Sequence, residues 1–161
     1  MRPTIAPGIL LTVLLTACGT IPAPDPTITE PDPNLNPVDV VEAQLDAFRA
    51  PGDGRHGIEI AYRFITPAWR REIGTVDRYA ELFEHGANAG LLDHRDAEVF
   101  RPTVRGDLAI VPTRVMTSDG ERIDFVFVLT RERDEPYENM WLTDDMQVHS
   151  TEDPASEQSD T

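Results

Sequence analysis

Residues 108–131 read LAIVPTRVMTSDGERIDFVFVLTR, and the pattern of this stretch predicts the centre of a β-sheet. In its second half, large apolar side chains recur at every other position from Ile123 to Leu129, which is the two-residue period of a strand with one buried face. Asp119-Gly120 separates this run from residues 108–117, and Asp-Gly between two strands is typical of a tight hairpin turn. The stretch therefore predicts two antiparallel strands, at residues 108–117 and 122–131.

Two further strands flank this hairpin in the sequence. Residues 99–105 and 140–148 show the same period, and Gly106-Asp107 supplies a tight turn, whereas residues 134–139 form a looser connection. Pro112 lies within a predicted strand. Because proline has no backbone N–H, its presence predicts an edge strand or a β-bulge there.

Upstream of the sheet, the apolar period changes to that of a helix. Asn36-Pro37, Thr66-Pro67 and Thr75 are typical helix starts. Four apolar stripes follow along this region: Val41, Leu45 and Phe48; Ile58, Ala61, Tyr62 and Ile65; Trp69 and Ile73; and Tyr79, Leu82 and Phe83. Helices followed by an antiparallel meander predict an α+β fold, with N-terminal helices packed on one face of a curved four-stranded sheet.

The chain begins with the features of a secretory signal peptide. A positive start at Arg2 precedes a short apolar run and small residues, in the stretch PGILLTVLLTACG at residues 7–19. Leu15-Thr16-Ala17-Cys18 resembles the lipobox of prokaryotic lipoproteins. The resemblance implies that residues 1–17 are removed and that Cys18 carries diacylglycerol, which would place the exported protein on the outside of the cell membrane or on an outer membrane. An ordinary signal peptide with an incidental cysteine is the alternative.

Composition divides the rest of the chain into three parts. Residues 18–36 are rich in proline and aspartate and predict an extended tether after the lipidated cysteine. Residues 37–149 carry the helix and strand patterns and predict a single α+β domain. Residues 150–161 are polar and acidic and predict a disordered tail. Cys18 is the single cysteine, so the domain has no disulfide.

The charge excludes one large class of partners. The chain has 14 basic residues, all arginine, against 29 acids, a net charge of −15. Nucleic-acid binding needs a basic surface, and so does docking of the domain itself on anionic lipid. A lysine-free acidic surface is typical of salt-adapted proteins and predicts a melting temperature that rises with salt; a codon bias toward arginine is the alternative interpretation.

Five stretches carry a family resemblance: VVEAQLDAFRA, AYRFITPAWRREIG, YAELF, TSDGERIDFVFVLTRER and MWLTDDMQV. Together they resemble the bacterial and archaeal domains called domain of unknown function 4864, over about residues 37–148. The family tends to close with a glycine, then Trp-Arg-Ile, then a glycine. Here Met140 precedes Trp141 and Leu142-Thr143-Asp144-Asp145 follows, which leaves the register of the last strand open.

The order of elements is also similar to that of the nuclear-transport-factor-two-like cone, a curved sheet wrapped around helices. That superfamily includes isomerases, cyclases and dehydratases as well as non-catalytic binding or dimerising modules, so fold likeness does not choose among these functions.

Aromatic side chains are the candidates for a ligand pocket inside such a cone. The candidates are Tyr62, Trp69, Tyr79, Phe83, Phe125, Phe127 and Trp141. The competing interpretation is core packing, which is favoured because a domain without disulfides needs these rings to fill its interior.

Three aspartates are candidate general bases. Asp124 alternates with apolar residues in its predicted strand; in the last strand a regular alternation points Asp144 inward, whereas a bulge would send Asp145 inward instead. A carboxylate against an apolar wall has a raised pKa and can accept a proton from a substrate. A rim aspartate in water is the competing interpretation.

No metal or cofactor motif stands out in the sequence. His94 lies in Asp93-His94-Arg95-Asp96, but the arginine argues against a cation there, and no zinc, calcium or phosphate-loop spacing is present. The sequence therefore predicts no metal and no cofactor. It favours an uncharacterised, lipid-anchored envelope domain that binds a small apolar ligand or a protein without catalysis, with a homodimer as a further candidate. The alternative is a small isomerase-, dehydratase- or hydrolase-like enzyme that uses an apolar cone pocket.

Overall fold

A computed structural model of the chain describes residues 28–49 and 54–149, and in these ranges helices precede strands. The helical elements are α1 (Pro37–Phe48), α2 (Arg55–Arg63), α3 (Pro67–Ile73), α4 (Val76–Glu81) and a 3₁₀ turn at Ala87–Leu91. The strands are β1 (Asp96–Val99), β2 (Thr103–Arg105), β3 (Leu108–Met116), β4 (Arg122–Arg131) and β5 (Trp141–Val148). The predicted α+β class is confirmed. No helix within the described ranges has the length and apolar character needed to span a bilayer.

Side-chain caps start α1, α3 and α4 where the sequence predicted. The Asn36 side chain accepts hydrogen bonds from the backbone N–H groups of Val38 and Asp39, and Asp39 accepts one from Asn36 N at 2.8 Å, which completes a capping box. The hydroxyls of Thr66 and Thr75 accept hydrogen bonds in the same way at the starts of α3 and α4. Each cap satisfies backbone donors that a helix leaves unpaired at its first turn.

The sheet has five strands among the described residues, one more than predicted. Its order is β1-β3-β4-β5, and β2 pairs with the same edge of β3 as β1 does. The predicted single strand at residues 99–105 is therefore two short strands. The break between them lies opposite Pro112, whose carbonyl accepts a hydrogen bond from Phe100 N at 2.9 Å. Pro112 has no backbone N–H and so cannot donate a hydrogen bond to an unbroken neighbouring strand. Because the neighbouring strand is broken at this point, a proline can occupy a central strand.

The core lies between the helices and one face of the sheet, here called the inner face. Alternate residues of β3 and β4 are buried on it, namely Ala109, Val111, Val115, Phe125, Phe127 and Leu129. Helix α1 supplies Val41, Leu45 and Phe48 to the same core. A buried polar contact joins the layers, since the Thr143 hydroxyl donates to Gln44 Oε1 at 2.6 Å. This bond satisfies two polar groups that would otherwise be buried without partners.

The last strand contains a β-bulge, and the prediction that Asp144 or Asp145 points inward is wrong. The register shifts between Val128 and Leu129, which pair with Asp145 and Thr143, so Asp144 is the extra residue. Thr143 lies on the inner face and is buried, whereas Asp144 is exposed and Asp145 pairs on the opposite face. Neither aspartate points inward, because the bulge shifts the alternation by one residue between Thr143 and Asp145.

Candidate functional site

A cleft of about 880 Å³ lies beside the first residues of β4, at the end of the sheet. The paired register of β5 with β4 starts at Phe125, so the preceding residues of β4 extend past the end of β5 and form one side of the cleft. The lining residues are Gly86, Ala87, Ala89, Gly90, Leu92, Arg114, Thr117, Ser118, Asp119, Glu121, Arg122, Ile123, Asp124, Val148 and His149.

A close contact fixes one wall of this cleft against the β3–β4 hairpin. A Cβ atom at Gly90 would lie 2.7 Å from Thr117 Cγ2 and 2.8 Å from Ile123 Cδ1, so a residue without a side chain is needed for the 3₁₀ turn to approach this closely. The Thr117 hydroxyl in turn accepts a hydrogen bond from Glu121 N at 2.9 Å and also contacts Asp119. Thr117 therefore packs against the 3₁₀ turn and also holds the β3–β4 hairpin turn in place.

The two arginines of the cleft differ in their hydrogen bonds and ion pairs. Arg114 holds both oxygens of Asp124, with Nε–Oδ1 at 2.7 Å and Nη2–Oδ2 at 3.0 Å, and its guanidinium lies 5.6 Å from the ring centroid of Phe100. Arg122 also lines the cleft, and its side chain makes no hydrogen bond or ion pair within the described ranges. The cleft thus combines a bidentate ion pair, a second guanidinium, the carboxylates of Asp119 and Glu121, and apolar side chains.

The three candidate general bases are not brought together. Asp124 is in the cleft. Asp144 accepts a hydrogen bond from the Thr66 hydroxyl at 2.8 Å, and Asp145 accepts from Met146 N and from Gln147 Nε2, at 2.8 and 2.6 Å. Neither Asp144 nor Asp145 lines the cleft. Of the three aspartates, Asp124 is therefore the one placed for general-base chemistry in the cleft.

The seven aromatic candidates pack in and around the core. Tyr79 and Phe83 meet edge to face at 5.1 Å, Trp69 meets Tyr79 at 5.9 Å, and burial raises the pKa of Tyr79. Phe125, Phe127 and Trp141 are buried, and Tyr62 is half-buried with its hydroxyl donating to Gly74 O at 2.8 Å. None of the seven lines the cleft beside β4, and their part in a ligand pocket stays a prediction.

A second, smaller cleft of about 270 Å³ lies between α1 and β1. His94 is buried in its wall, with Nδ1 2.8 Å from the carbonyl oxygen of Leu91. Residues 28–49 and 54–149 contain no group of three or more histidine, cysteine or carboxylate side chains that could hold a metal ion. Burial lowers the pKa of His94, and the nearby Arg49 lowers it further.

We expect His94 to make folding stability depend on pH. Its pKa in the folded protein is below its ordinary value of about 6.5, so the unfolded chain binds the proton more readily. The contribution of His94 is therefore fully present above about pH 6.5 and is lost as the pH falls through the folded pKa. In urea denaturation between about pH 7.5 and pH 5, His94→Gln should show a shallower loss of stability than the unsubstituted protein.

The exposed His56 offers the matched control for that measurement. Carboxylates titrate in both proteins, so the difference between the two curves reports on the histidine. His56→Gln makes the same substitution at an exposed position and so controls for the change of side chain itself. Parallel curves for His94→Gln and the unsubstituted protein would show that His94 keeps its ordinary pKa in the fold.

Most of the cleft was missed by the sequence analysis. Arg114 was missed because a two-residue turn at Asp119-Gly120 would pair it with Phe125. The observed turn spans residues 118–120, and this register places Arg114 directly opposite Asp124. Residues 86–92 carried no signal beyond two glycines, since their position depends on contact with Thr117 and Ile123.

Comparison with known proteins gives one match. A family model described as "Domain of unknown function (DUF4864)" matches residues 32–156. No curated protein and no solved structure matches the chain.

Proposed function

The chain belongs to the DUF4864 family of domains of unknown function, and we propose that it is a non-catalytic binding domain, exported and held at the outside of a membrane by lipid on Cys18. Its ligand would be a small molecule with an apolar body and an anionic group, bound in the cleft beside β4. The observation that carries this proposal is Arg122, a guanidinium without a partner in the described ranges, beside the apolar Leu92, Ile123 and Val148.

The size and lining of the cleft support binding of a small molecule. Ligand sites in proteins usually enclose about 300–1,000 Å³ and combine apolar walls with a few polar groups that fix orientation. This cleft has about 880 Å³, and its lining combines apolar side chains with two arginines and three carboxylates. Arginine suits an anionic group because its planar guanidinium can donate two parallel hydrogen bonds to a carboxylate.

The hydrogen bonds between Asp124 and Arg114 support a binding function without catalysis. A general base must approach the proton that it removes, at hydrogen-bond distance. Both oxygens of Asp124 already accept hydrogen bonds from Arg114. Catalysis by Asp124 would require this bidentate pair to open, and neither Asp144 nor Asp145 lies in the cleft to replace it.

The anchoring part of the proposal comes from the sequence. Cys18 and the predicted signal peptide lie outside the described residues, as do the predicted tail and most of the predicted tether. The support is the order of a charged start, an apolar run, small residues and one cysteine.

We expect Arg122→Gln to weaken the binding of small aryl carboxylates. The probe is phenylbutyrate, whose ring suits the apolar wall and whose carboxylate would meet the guanidinium. A hydrogen bond to a charged group contributes about 1.5–3 kcal/mol, so the dissociation constant measured by isothermal titration calorimetry should rise by roughly ten- to a hundredfold.

Arg101→Gln is the matched control, because Arg101 is exposed and does not line the cleft. It removes the same charge and should change the dissociation constant by less than about twofold. Equal weakening by both substitutions would mean that only the overall charge matters, and the assignment of the ligand to the cleft would then be wrong.

A further inference from the structure

The face of the sheet opposite the helices is apolar and open to solvent in the described part of the chain. We call it the outer face; its centre consists of Leu108, Ile110 and Pro112 of β3 and of Val126 and Val128 of β4. Ile110 has strands on both sides and is still 39% exposed, and Leu108 is 42% exposed. Contiguous apolar residues on a surface indicate an interaction site.

Charged residues border this face in a specific order. The register places Thr103, Ile110, Val128 and Asp145 in one row across the sheet, from the β2 edge to the β5 edge. Arg105 lies one row away on the β2 edge and has no ion pair within the described ranges. At the other end of the face, β3 carries Arg114 and β4 carries Asp124, side by side. The face therefore has Arg105 on the β2 edge, Asp145 on the β5 edge, and the Arg114–Asp124 pair on the two central strands. Glu98 of β1 lies beside Arg114 in the row of that pair.

We propose that the outer face binds the outer face of a second copy of this chain. The twofold axis would run parallel to the strands, between β3 and β4. This axis places β3 of one copy over β4 of the other, so Arg114 meets Asp124 of the second copy and Asp124 meets Arg114 of the second copy. It also places the β2 edge over the β5 edge, where Arg105 is within one row of Asp145 of the second copy.

The same charges argue against other arrangements. A twofold axis perpendicular to the strands would place β5 of one copy over β5 of the other. It would bring the two Asp145 carboxylates toward each other, without a basic residue between them. The chain carries a net charge of −15, so two copies repel at most surfaces. The outer face lets opposite charges meet around an apolar centre, and such self-complementarity is what a twofold interface requires.

The area of the face indicates a dimer of modest affinity. Strands about 4.8 Å apart with about 3.3 Å per residue give a plane on the order of 500 Å². Stable interfaces bury about 800 Å² of accessible surface per partner, so this face lies toward the small end for specific association. The dimer should dissociate on dilution in solution. Because Arg114 and Asp124 also line the cleft, the second copy would border the ligand site.

Sedimentation velocity across the micromolar range tests this interface on the full chain. Every sample carries Cys18→Ser, so that neither lipid nor a thiol links two copies. We expect a concentration-dependent monomer–dimer equilibrium. Ile110→Glu should abolish it, and Leu82→Glu should leave it unchanged, since Leu82 is equally exposed at 39% but lies at the end of α4.

A charge exchange tests the direction of the axis and does not depend on Ile110→Glu folding correctly. Arg105→Asp and Asp145→Arg should each weaken the dimer by about tenfold, and the double variant should regain most of the loss. A chain that stays monomeric at all concentrations would overturn the proposal, including the case in which residues outside the described ranges cover the face. Loss of the dimer in Leu82→Glu, or no recovery in the double charge variant, would also overturn it.

Discussion

Cys18→Ser is expected to remove the protein from the membrane fraction almost completely. The sequence places one cysteine directly after an apolar run and small residues, and the proposed lipid on that thiol is the attachment. Each buried CH₂ group contributes about 0.8 kcal/mol, so a pair of long acyl chains holds a protein firmly and their loss leaves little affinity. Because the chain has a net charge of −15, we expect the domain's own surface to add little attraction to anionic lipid.

Cell fractionation and mass spectrometry of the mature N-terminus measure this effect. The unsubstituted protein should lack residues 1–17 and carry the mass of the acyl chains on Cys18. Thr12→Leu is the control, because it changes the same leader but keeps the run apolar and the thiol in place. A mature protein whose Cys18 thiol reacts freely with a thiol reagent would show that the lipid is absent.

Gly57→Ala should destabilise the domain by about 3 kcal/mol, the upper part of the usual range for overpacking. The substitution would normally favour a helix by about 1 kcal/mol, since alanine is the better helix former. Here a Cβ atom at Gly57 would lie 1.9 Å from the carbonyl oxygen of Ala47, inside the contact between α1 and α2. Backbone on both sides leaves no flexible side chain that could yield, so the helices must separate.

Urea denaturation gives the free energy of unfolding for this comparison. His56→Ala is the control on the same helix, because His56 is exposed and the change also introduces alanine, with a smaller gain in helix propensity than Gly→Ala gives. We expect it to change stability by less than about 0.5 kcal/mol. If Gly57→Ala were as stable as the unsubstituted domain, α1 and α2 would not pack as closely as described.

The fold was largely predictable because most helix starts and turns depend on residues that are close in the sequence. Asn36, Thr66 and Thr75 cap helices by side-chain hydrogen bonds within three residues, and the hairpin turn at Asp119-Gly120 is equally local. The bulge at Asp144 was not predictable in position, because it depends on which side chain of β5 meets Gln44. Thr143 makes that contact from 99 residues away, which no periodicity reveals.

The site was only partly predictable for a related reason. Asp124 was found from strand alternation, but alternation does not show that Arg114 occupies both of its oxygens. The break between β1 and β2 opposite Pro112 likewise needed the sheet order, since a proline alone suits an edge as well as a bulge. The cleft forms where three separate segments meet, and its shape depends on contacts such as that of Gly90 with Ile123.

Amide chemical-shift mapping by NMR tests whether the cleft beside β4 is a binding site. Phenylbutyrate is titrated into the isotope-labelled full chain carrying Cys18→Ser, with the Arg122→Gln variant in parallel. We expect saturable shifts concentrated in residues 86–92, 117–124 and 148–149, and their loss in the variant. Shifts confined to other parts of the domain, or shifts that are equal in Arg122→Gln, would contradict it.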